Sequence, residues 1–328
     1  MSAIALLKKR QNGQYYTEGN PFILKPFQSW IEKHKLQDKS VLEPFAGANN
    51  IIHSLQQVGM ASKFSSFDIN PTHPKVTLRD TLSDFPQGFE LCVTNPPWLA
   101  KNSAKRRGLA YPETPFDDLY KHALDLCVKN CNYVAAIIPA TFLRSGELRN
   151  NSKANLETIV FLHDQNGQSM FLDTENPVCL ALFSPEKNRI SIFNDNEHVG
   201  FLDELEMKLP EKAHHISLTF NHPNGNLGFI AIDNNHQPSI RFVKGEELAA
   251  YEMKFTSRMI TRIDCQIKNI DKLIQSLNED LANFRNETKD VFLTPFKGLR
   301  KDGAYRRRMD YSLAKDFIAK HANTSTRF

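Results

Sequence analysis

No run of about 18 apolar residues occurs in this sequence, so no membrane-spanning helix is expected. The first ten residues hold a short apolar patch followed by Lys8-Lys9-Arg10, the reverse of a secretory leader's order. Cysteine is sparse: five, at 92, 127, 131, 179 and 265, an odd number without a CxxC pair. Such spacing argues against a disulfide framework and against a zinc ribbon. The expectation is buried thiols in a reducing cytoplasm and no metal site. No Ser-His-Asp set is visible, the dinucleotide pattern GxGxxG is missing, and no internal repeat or low-complexity tract stands out.

What remains is a composition of 41% hydrophobic and 24% charged residues, the balance of a soluble globular protein. At 328 residues, two domains are expected. The net charge of +4 is unevenly spread. Lys254 to Phe328 contains 16 Lys and Arg against 9 Asp and Glu, a net of +7, which leaves −3 on 1–253. A basic C-terminal quarter on a near-neutral body points to a polyanionic partner, with a solvated helical face as the plainer reading.

The stretch that organises the chain is Asn95-Pro96-Pro97-Trp98, after the apolar run Glu90-Leu91-Cys92-Val93-Thr94. Two prolines cannot donate ladder hydrogen bonds, so a strand must end there. The turn places a carboxamide, a main-chain carbonyl and an aromatic ring at the carboxyl end of a strand, where open α/β sheets bind ligands.

Upstream, residues 11–20 form a loop containing Tyr15-Tyr16-Thr17, and Pro21 to Lys35 is patterned as an amphipathic helix. Val41-Leu42-Glu43-Pro44-Phe45 predicts a strand, Ala46-Gly47-Ala48-Asn49-Asn50 a small-residue turn, and Asn50–Val58 a helix capped by Asn49 or Asn50. Gly47 lets backbone approach a ligand closely. The strand ending in Asp68 puts an acid about 20 residues further on, where Rossmann-like sites hold ribose hydroxyls. A third short strand, Val76–Asp80, ends in another acid. After Trp98 comes a basic loop with Lys101, Lys105, Arg106 and Arg107, suited either to phosphate or to solvent. Thr114-Pro115 predicts the start of a helix reaching Asn130. Strands are expected at Tyr133–Pro139, Thr158–His163 and Val178–Phe183. Seven strands alternating with helices predict one doubly wound α/β domain over 1–185. Short strands are expected at Arg189–Phe193, Ile216–Phe220 and Gly228–Ile232. Glu246 to Arg285 is patterned as helix, with Ile260, Ile263, Ile267, Ile270, Leu273, Ile274 and Leu277 as its stripe. The basic segment with Lys297, Arg300, Lys301, Arg306, Arg307 and Arg308 is the tail's candidate nucleic-acid contact.

The order Tyr-Tyr-Thr, Glu-Pro-Phe-Ala-Gly, Phe-Asp, Asp80, Asn-Pro-Pro-Trp, an apolar Ile-Ile-Pro strand and a basic C-terminal region resembles a known family. It is similar to the S-adenosylmethionine-dependent DNA adenine-N6 methyltransferases of type II restriction–modification systems, in the gamma arrangement with the recognition region last. The resemblance covers about residues 1–185. It implies a Rossmann-like, seven-stranded, doubly wound methyltransferase sheet and a smaller, mixed or helical recognition (DNA-binding) region over 186–328. It also implies S-adenosyl-L-methionine as cofactor, double-stranded DNA as partner and a bacterial cytoplasmic setting. A functional pairing with a restriction endonuclease follows, without a stable complex. Position by position, it implies that Tyr16 and Thr17 close over the methionine moiety and that Glu43, Phe45, Ala46 and Gly47 line its amino-acid end. Asp68 would hold the ribose with Ile69 beside it, and Asp80 the cofactor's adenine amine. Asn95 and Pro96, braced by Pro97, would bind the target amine, and Trp98 would stack on the base. One departure is Asn49, where the family often has a second glycine; asparagine tolerates the left-handed backbone such a turn needs.

The chemistry follows from the target. An exocyclic amine donates its lone pair into the ring and is a poor nucleophile. Two acceptors on its N–H bonds, the Asn95 side-chain oxygen and the Pro96 carbonyl, draw it toward tetrahedral geometry, and positioning provides much of the rest. An adenine inside a duplex must first be flipped out, at a cost of a few kcal/mol that basic contacts offset. The Asn-Pro-Pro-aromatic motif does not separate DNA from RNA adenine or protein glutamine. The basic tail argues against glutamine, RNA stays open, and a non-catalytic nucleic-acid-binding subunit is the alternative of another class.

Overall fold

Short apolar runs separated by turn residues build the first sheet of this chain. The computed structural model describes residues 19–144, 155–163, 176–187, 189–213, 216–251, 258–267 and 269–325. It divides into two units, Met1–Leu202 and Asp203–Phe328.

In the first unit, strands β1 (Val41–Glu43), β2 (Phe64–Asp68), β3 (Val76–Leu78), β4 (Leu91–Thr94), β5 (Tyr133–Pro139), β6 (Asn155–Leu162), β7 (Val178–Ser184), β8 (Ser191–Asn194) and β9 (Glu197–Phe201) form one sheet. Their order is β3-β2-β1-β4-β5-β7-β6-β8-β9. Strands β1 to β5 are mutually parallel, while β7 runs antiparallel to both β5 and β6. Helices α1 (Lys25–His34), α2 (Asn50–Gln57), α3 (Lys101–Arg107) and α4 (Leu119–Asn130) accompany them. The connections run outward from β1 to β2 and β3, and outward again from β4 to β5. With right-handed crossovers, α2 and α4 therefore fall on opposite faces, which is double winding. Every residue of β4 is buried, as a strand covered on both faces requires.

The sheet has nine strands where seven were expected. Residues 186–201, read with the C-terminal region, extend it: β8 lies parallel to β6 and β9 folds back on β8. The hairpin turns at Asp195, whose φ of 47° is one that Asp and Asn tolerate. Helix α4 starts at Leu119, capped by Asp118, and not at Thr114. The chain before it is held in a bridge between Ala100 and Asp118, so it cannot be helical there.

The second unit contains β10 (Leu218–Phe220), β11 (Leu227–Ile230), β12 (Arg241–Lys244) and β13 (Ile260–Cys265) in the order β10-β13-β11-β12, all antiparallel. Helices α5 (Ile270–Thr288) and α6 (Tyr311–Ser325) follow, with the hairpin β14 (Thr294–Leu299) and β15 (Tyr305–Arg308) between them. Leu227, Phe229, Phe242 and Ile263 pack against Leu273, Leu277, Leu281 and Phe317. The edge of β12 is clamped: Asn278 of α5 donates to the Phe242 carbonyl and accepts its N–H, both at 2.8 Å.

The helix expected over Glu246–Arg285 is instead a short 3-10 turn, a strand and the helix α5. Ile260 to Cys265 alternates half-buried and buried residues, the period of a strand, and its β-branched Ile and Thr favour the pleated state. Ile260 and Ile263 are therefore strand residues, while Ile270, Leu273, Ile274 and Leu277 lie on the helix.

Asp233 ties this unit together. Its side chain is fully buried. It accepts two bonds of 2.9 Å from Arg285 and one of 3.0 Å from Arg300, plus the Arg307 N–H at 3.2 Å. Burial pushes its carboxyl up, but the Arg285 guanidinium more than offsets this and holds it below the usual carboxylate range. Removing one partner of a buried pair leaves uncompensated charge. Asp233→Ala should therefore cost about 3 kcal/mol, at the lower end of that penalty because Asp290 and Asp302 still face the two arginines. Urea unfolding of the full chain checks this; a loss below about 1 kcal/mol, the scale of a surface pair, would contradict it.

Candidate active site

The carboxyl ends of β1, β2 and β4 lie side by side, because β1 pairs parallel with both neighbours. Connections leave β1 and β4 in opposite directions, so this edge is the sheet's switch point, where crevices open in doubly wound folds.

At the end of β1, Glu43 is fully buried. Its Oε1 accepts the Thr94 hydroxyl at 2.7 Å and the Phe45 N–H at 3.0 Å. Its Oε2 is buried with no hydrogen-bond partner among the described residues. Burial pushes the Glu43 carboxyl up to about 8. Phe45 is half-buried and Ala46 buried, and the Ala46 N–H donates to the Phe67 carbonyl at 2.8 Å. Gly47 takes φ 50° and donates its N–H to Asp68 Oδ2 at 2.8 Å. Asp68 Oδ1 accepts the Asn70 N–H at 2.7 Å. Asp68 thus fixes the turn after β1, and a carboxylate oxygen retains a second lone pair for a ligand. Asn49 is left-handed, φ 66°, and its side-chain oxygen accepts the buried Ser66 hydroxyl at 2.7 Å. The turn with asparagine in place of glycine therefore closes.

Beyond β2, Ile69 is 63% exposed, an apolar side chain left in solvent beside a polar turn. Asp80 is exposed and starts a turn, accepting the Leu82 N–H at 3.2 Å. The next residue, Thr81, is buried and donates to the Pro44 carbonyl at 2.7 Å, which binds the loop after β3 to the β1 turn.

Asn95 directly follows β4. Asn95 and Pro97 are half-buried, Pro96 is buried, and Trp98 is 7% exposed. The indole is packed, where the sequence led us to expect a ring laid open at the mouth. The basic segment after it is helix α3 and not a loop. Lys101, Lys105, Arg106 and Arg107 are all exposed on it, three of them in the last turn, where cations complement the helix dipole. Tyr16 and Thr17 lie outside the described residues.

In the second unit, Lys297 and Lys301 are exposed. Arg300 and Arg307 are a correction: both are buried, and Arg300 spends its guanidinium on Asp233 and Asp302. A planar five-donor fork suits a buried carboxylate better than an ammonium does. Arg306 donates to the Asp233 carbonyl at 2.8 Å, and Arg308 pairs with Asp310 at 3.0 Å. These four arginines build the unit's interior and its rim.

Sequence reasoning missed Thr94 and Thr81 as partners in the site. Thr94 had a signal: it is the one hydroxyl in an otherwise apolar strand, one residue before Asn95. Thr81 had none, since its partner is a carbonyl 37 residues away.

No family model and no curated protein matches this chain. Solved structures do resemble it. A chain described as a modification subunit of a type I restriction enzyme from Vibrio vulnificus YJ016 aligns at 15% identity, TM-score 0.37, over 56% of this chain and 47% of that one. The DrdV–DNA complex aligns at 13% identity, TM-score 0.42, over 57% and 28%. The type IIL restriction-modification enzyme MmeI, in complex with DNA, aligns at 13% identity, TM-score 0.40, over 89% and 55%. Less than two thirds of each of these three is spanned. At such scores the likenesses decide nothing about substrate or partner.

S-adenosylmethionine carries an ammonium and a sulfonium. A buried carboxyl with one oxygen unclaimed, beside a turn whose glycine has positive φ, fits such a cationic group. Without a cation there, Glu43 makes its own pH dependence. Its folded value of about 8 lies above the ordinary 4.5, so the folded chain keeps a proton the unfolded chain gives up. Stability present below the ordinary value is lost as pH rises toward 8, by a few kcal/mol on the order of the shift. Glu43→Gln should remove that slope; melting curves of both proteins across about pH 5 to 9 check it, and parallel profiles would contradict it.

Proposed function

We propose that this protein is an S-adenosylmethionine-dependent methyltransferase acting on the N6 amine of an adenine flipped out of duplex DNA. One observation carries the reading: Asn95-Pro96-Pro97-Trp98 ends the strand paired with β1, at the switch point, next to the turn held by Glu43 and Asp68.

When bound, S-adenosylmethionine supplies a methyl group on a positively charged sulfur. Glu43, Phe45, Ala46 and Gly47 would line its amino-acid end, Asp68 would hold the ribose hydroxyls with Ile69 beside it, and Asp80 would take the amine of its adenine. The Asn95 side-chain oxygen and the Pro96 carbonyl accept the two N–H bonds of the target amine. That freezes the amine's orientation and localises its lone pair for attack. Pro97 keeps the Pro96 carbonyl at a fixed angle, because its own φ is locked. Stacking of the extruded base on Trp98 requires the packed indole to turn outward. The basic face of α3, with Lys297 and Lys301, neutralises phosphate and offsets unstacking. The biological role that fits is protection of a site from a partner restriction endonuclease.

Asn95→Ala should lower methyl transfer by about 10²- to 10³-fold while leaving S-adenosylmethionine affinity nearly unchanged. Transfer of labelled methyl to DNA, with the product mapped as N6-methyladenine, and calorimetry of cofactor binding check both halves. Labelling of RNA alone would overturn the DNA substrate, and lost cofactor binding would overturn the residue's role. Replacing Lys101, Lys105, Arg106 and Arg107 together by alanine should flatten the dependence of log Kd on log salt by about 0.9 for each phosphate contact removed. An unchanged slope would place the phosphate contacts elsewhere.

A further inference from the structure

The turn Asn234–Pro238 is exposed throughout, yet it is held by the buried carboxylate of Asp233. Besides Arg285, Arg300 and the Arg307 N–H, Asp233 accepts the Ser239 N–H at 2.7 Å and the Ile240 N–H at 3.3 Å, closing the base of the turn. Inside it, Asn234 Oδ1 accepts the N–H groups of His236 and Gln237 at 2.8 and 3.0 Å, and the Asn234 N–H donates to Ser239 Oγ at 2.7 Å. The Lys301 N–H donates to the Asn235 carbonyl at 2.9 Å, so the turn is also fastened to the β14–β15 hairpin. The main chain is fixed on every side while the side chains of Asn235, His236 and Gln237 stand in solvent.

A buried ion pair is weak evidence for net stability, because desolvation of both charges offsets their attraction. What it fixes is geometry. Here the geometry belongs to two planar carboxamides and an imidazole, groups that each combine donor and acceptor. Asn and Gln are the side chains that make paired hydrogen bonds to the N6 and N7 of adenine in the major groove, and lysine reaches guanine or phosphate. Lys297 and Lys301 are exposed on the same hairpin.

We propose that the turn Asn234–Pro238 is a base-reading element, with Asn235 and Gln237 as specificity-determining residues and His236 between them. The proposal rests on the duplex-DNA reading above. A pre-ordered turn loses little freedom on contact, so its hydrogen bonds go into discrimination between bases.

The test offers the full-length wild type, the double variant Asn235→Ala/Gln237→Ala and His236→Ala a randomised duplex library with S-adenosylmethionine, and maps every methylated adenine. The wild type should mark one sequence. The double variant should mark that sequence with one or two positions relaxed, losing about tenfold or more in discrimination at each. Its melting temperature and the salt dependence of its hold on non-cognate duplex should follow the wild type. A double variant that keeps the full wild-type site overturns the proposal, as does one that weakens cognate and non-cognate duplex by the same factor. A wild type that methylates no duplex DNA overturns the functional reading and this inference with it. A wild type with a defined site that none of these variants alters overturns this inference alone.

Discussion

The bond from the Thr94 hydroxyl to buried Glu43 is what the rest of the site depends on. It joins the ends of the neighbouring parallel strands β1 and β4. A carboxyl with no exposed surface must be neutral or paired, and here the pairing is half done: one oxygen is satisfied by Thr94 and Phe45, the other is not. The cost of burying that second oxygen is carried by the fold, and it keeps the carboxyl protonated up to about pH 8. Asp68 is likewise committed: Oδ2 accepts the Gly47 N–H of the turn after β1, and Oδ1 accepts the Asn70 N–H of its own turn. Acceptors on β1 and β2 thus fix the small-residue turn at the strand ends.

The sheet supports this by simple means. β1 is three residues long and wholly buried, so its register against β2 and β4 is fixed by packing. A slip of one residue would turn Glu43 to the other face and dissolve the site. The prolines after Asn95 end β4 where β1 ends, and Thr81 draws the loop after β3 onto Pro44. Three consecutive connections are thus tied to one turn.

Much of this was legible because punctuation is local. Gly47, Asp68 and the paired prolines announce turns by their own stereochemistry, and the apolar run at Tyr133–Pro139 could only be a buried strand. Asn49 was legible as a tolerated left-handed residue for the same reason. What escaped depended on partners distant in sequence. The strand Ile260–Cys265 has isoleucines three residues apart, which also fits a helix; pairing with β10 and β11 decides it, and no local residue does. The strand expected at Arg189–Phe193 is β8, but its place in the first sheet escaped, and β9 with it, because only pairing with the edge of β6 decides where it belongs.

The basic tail shows how far composition carries. Its surplus of positive charge is real, but Arg300 and Arg307 are buried, and Arg285 is turned inward on Asp233 and Asp290. The sequence held a way to sort them. Arginine tolerates burial because its delocalised charge is weakly hydrated and its fork can satisfy two carboxylates at once, while lysine's compact ammonium stays with water. Close by stand the acids that claim the forks: Asp290 five residues from Arg285, and Asp302 two from Arg300. Lys297 and Lys301 stand exposed, Lys301 although Asp302 is its neighbour in sequence, because Arg300 takes that carboxylate. An unsorted count of Lys and Arg therefore overstates the surface charge, and the arginines it miscounts are those that hold the exposed Asn234–Pro238 turn in place.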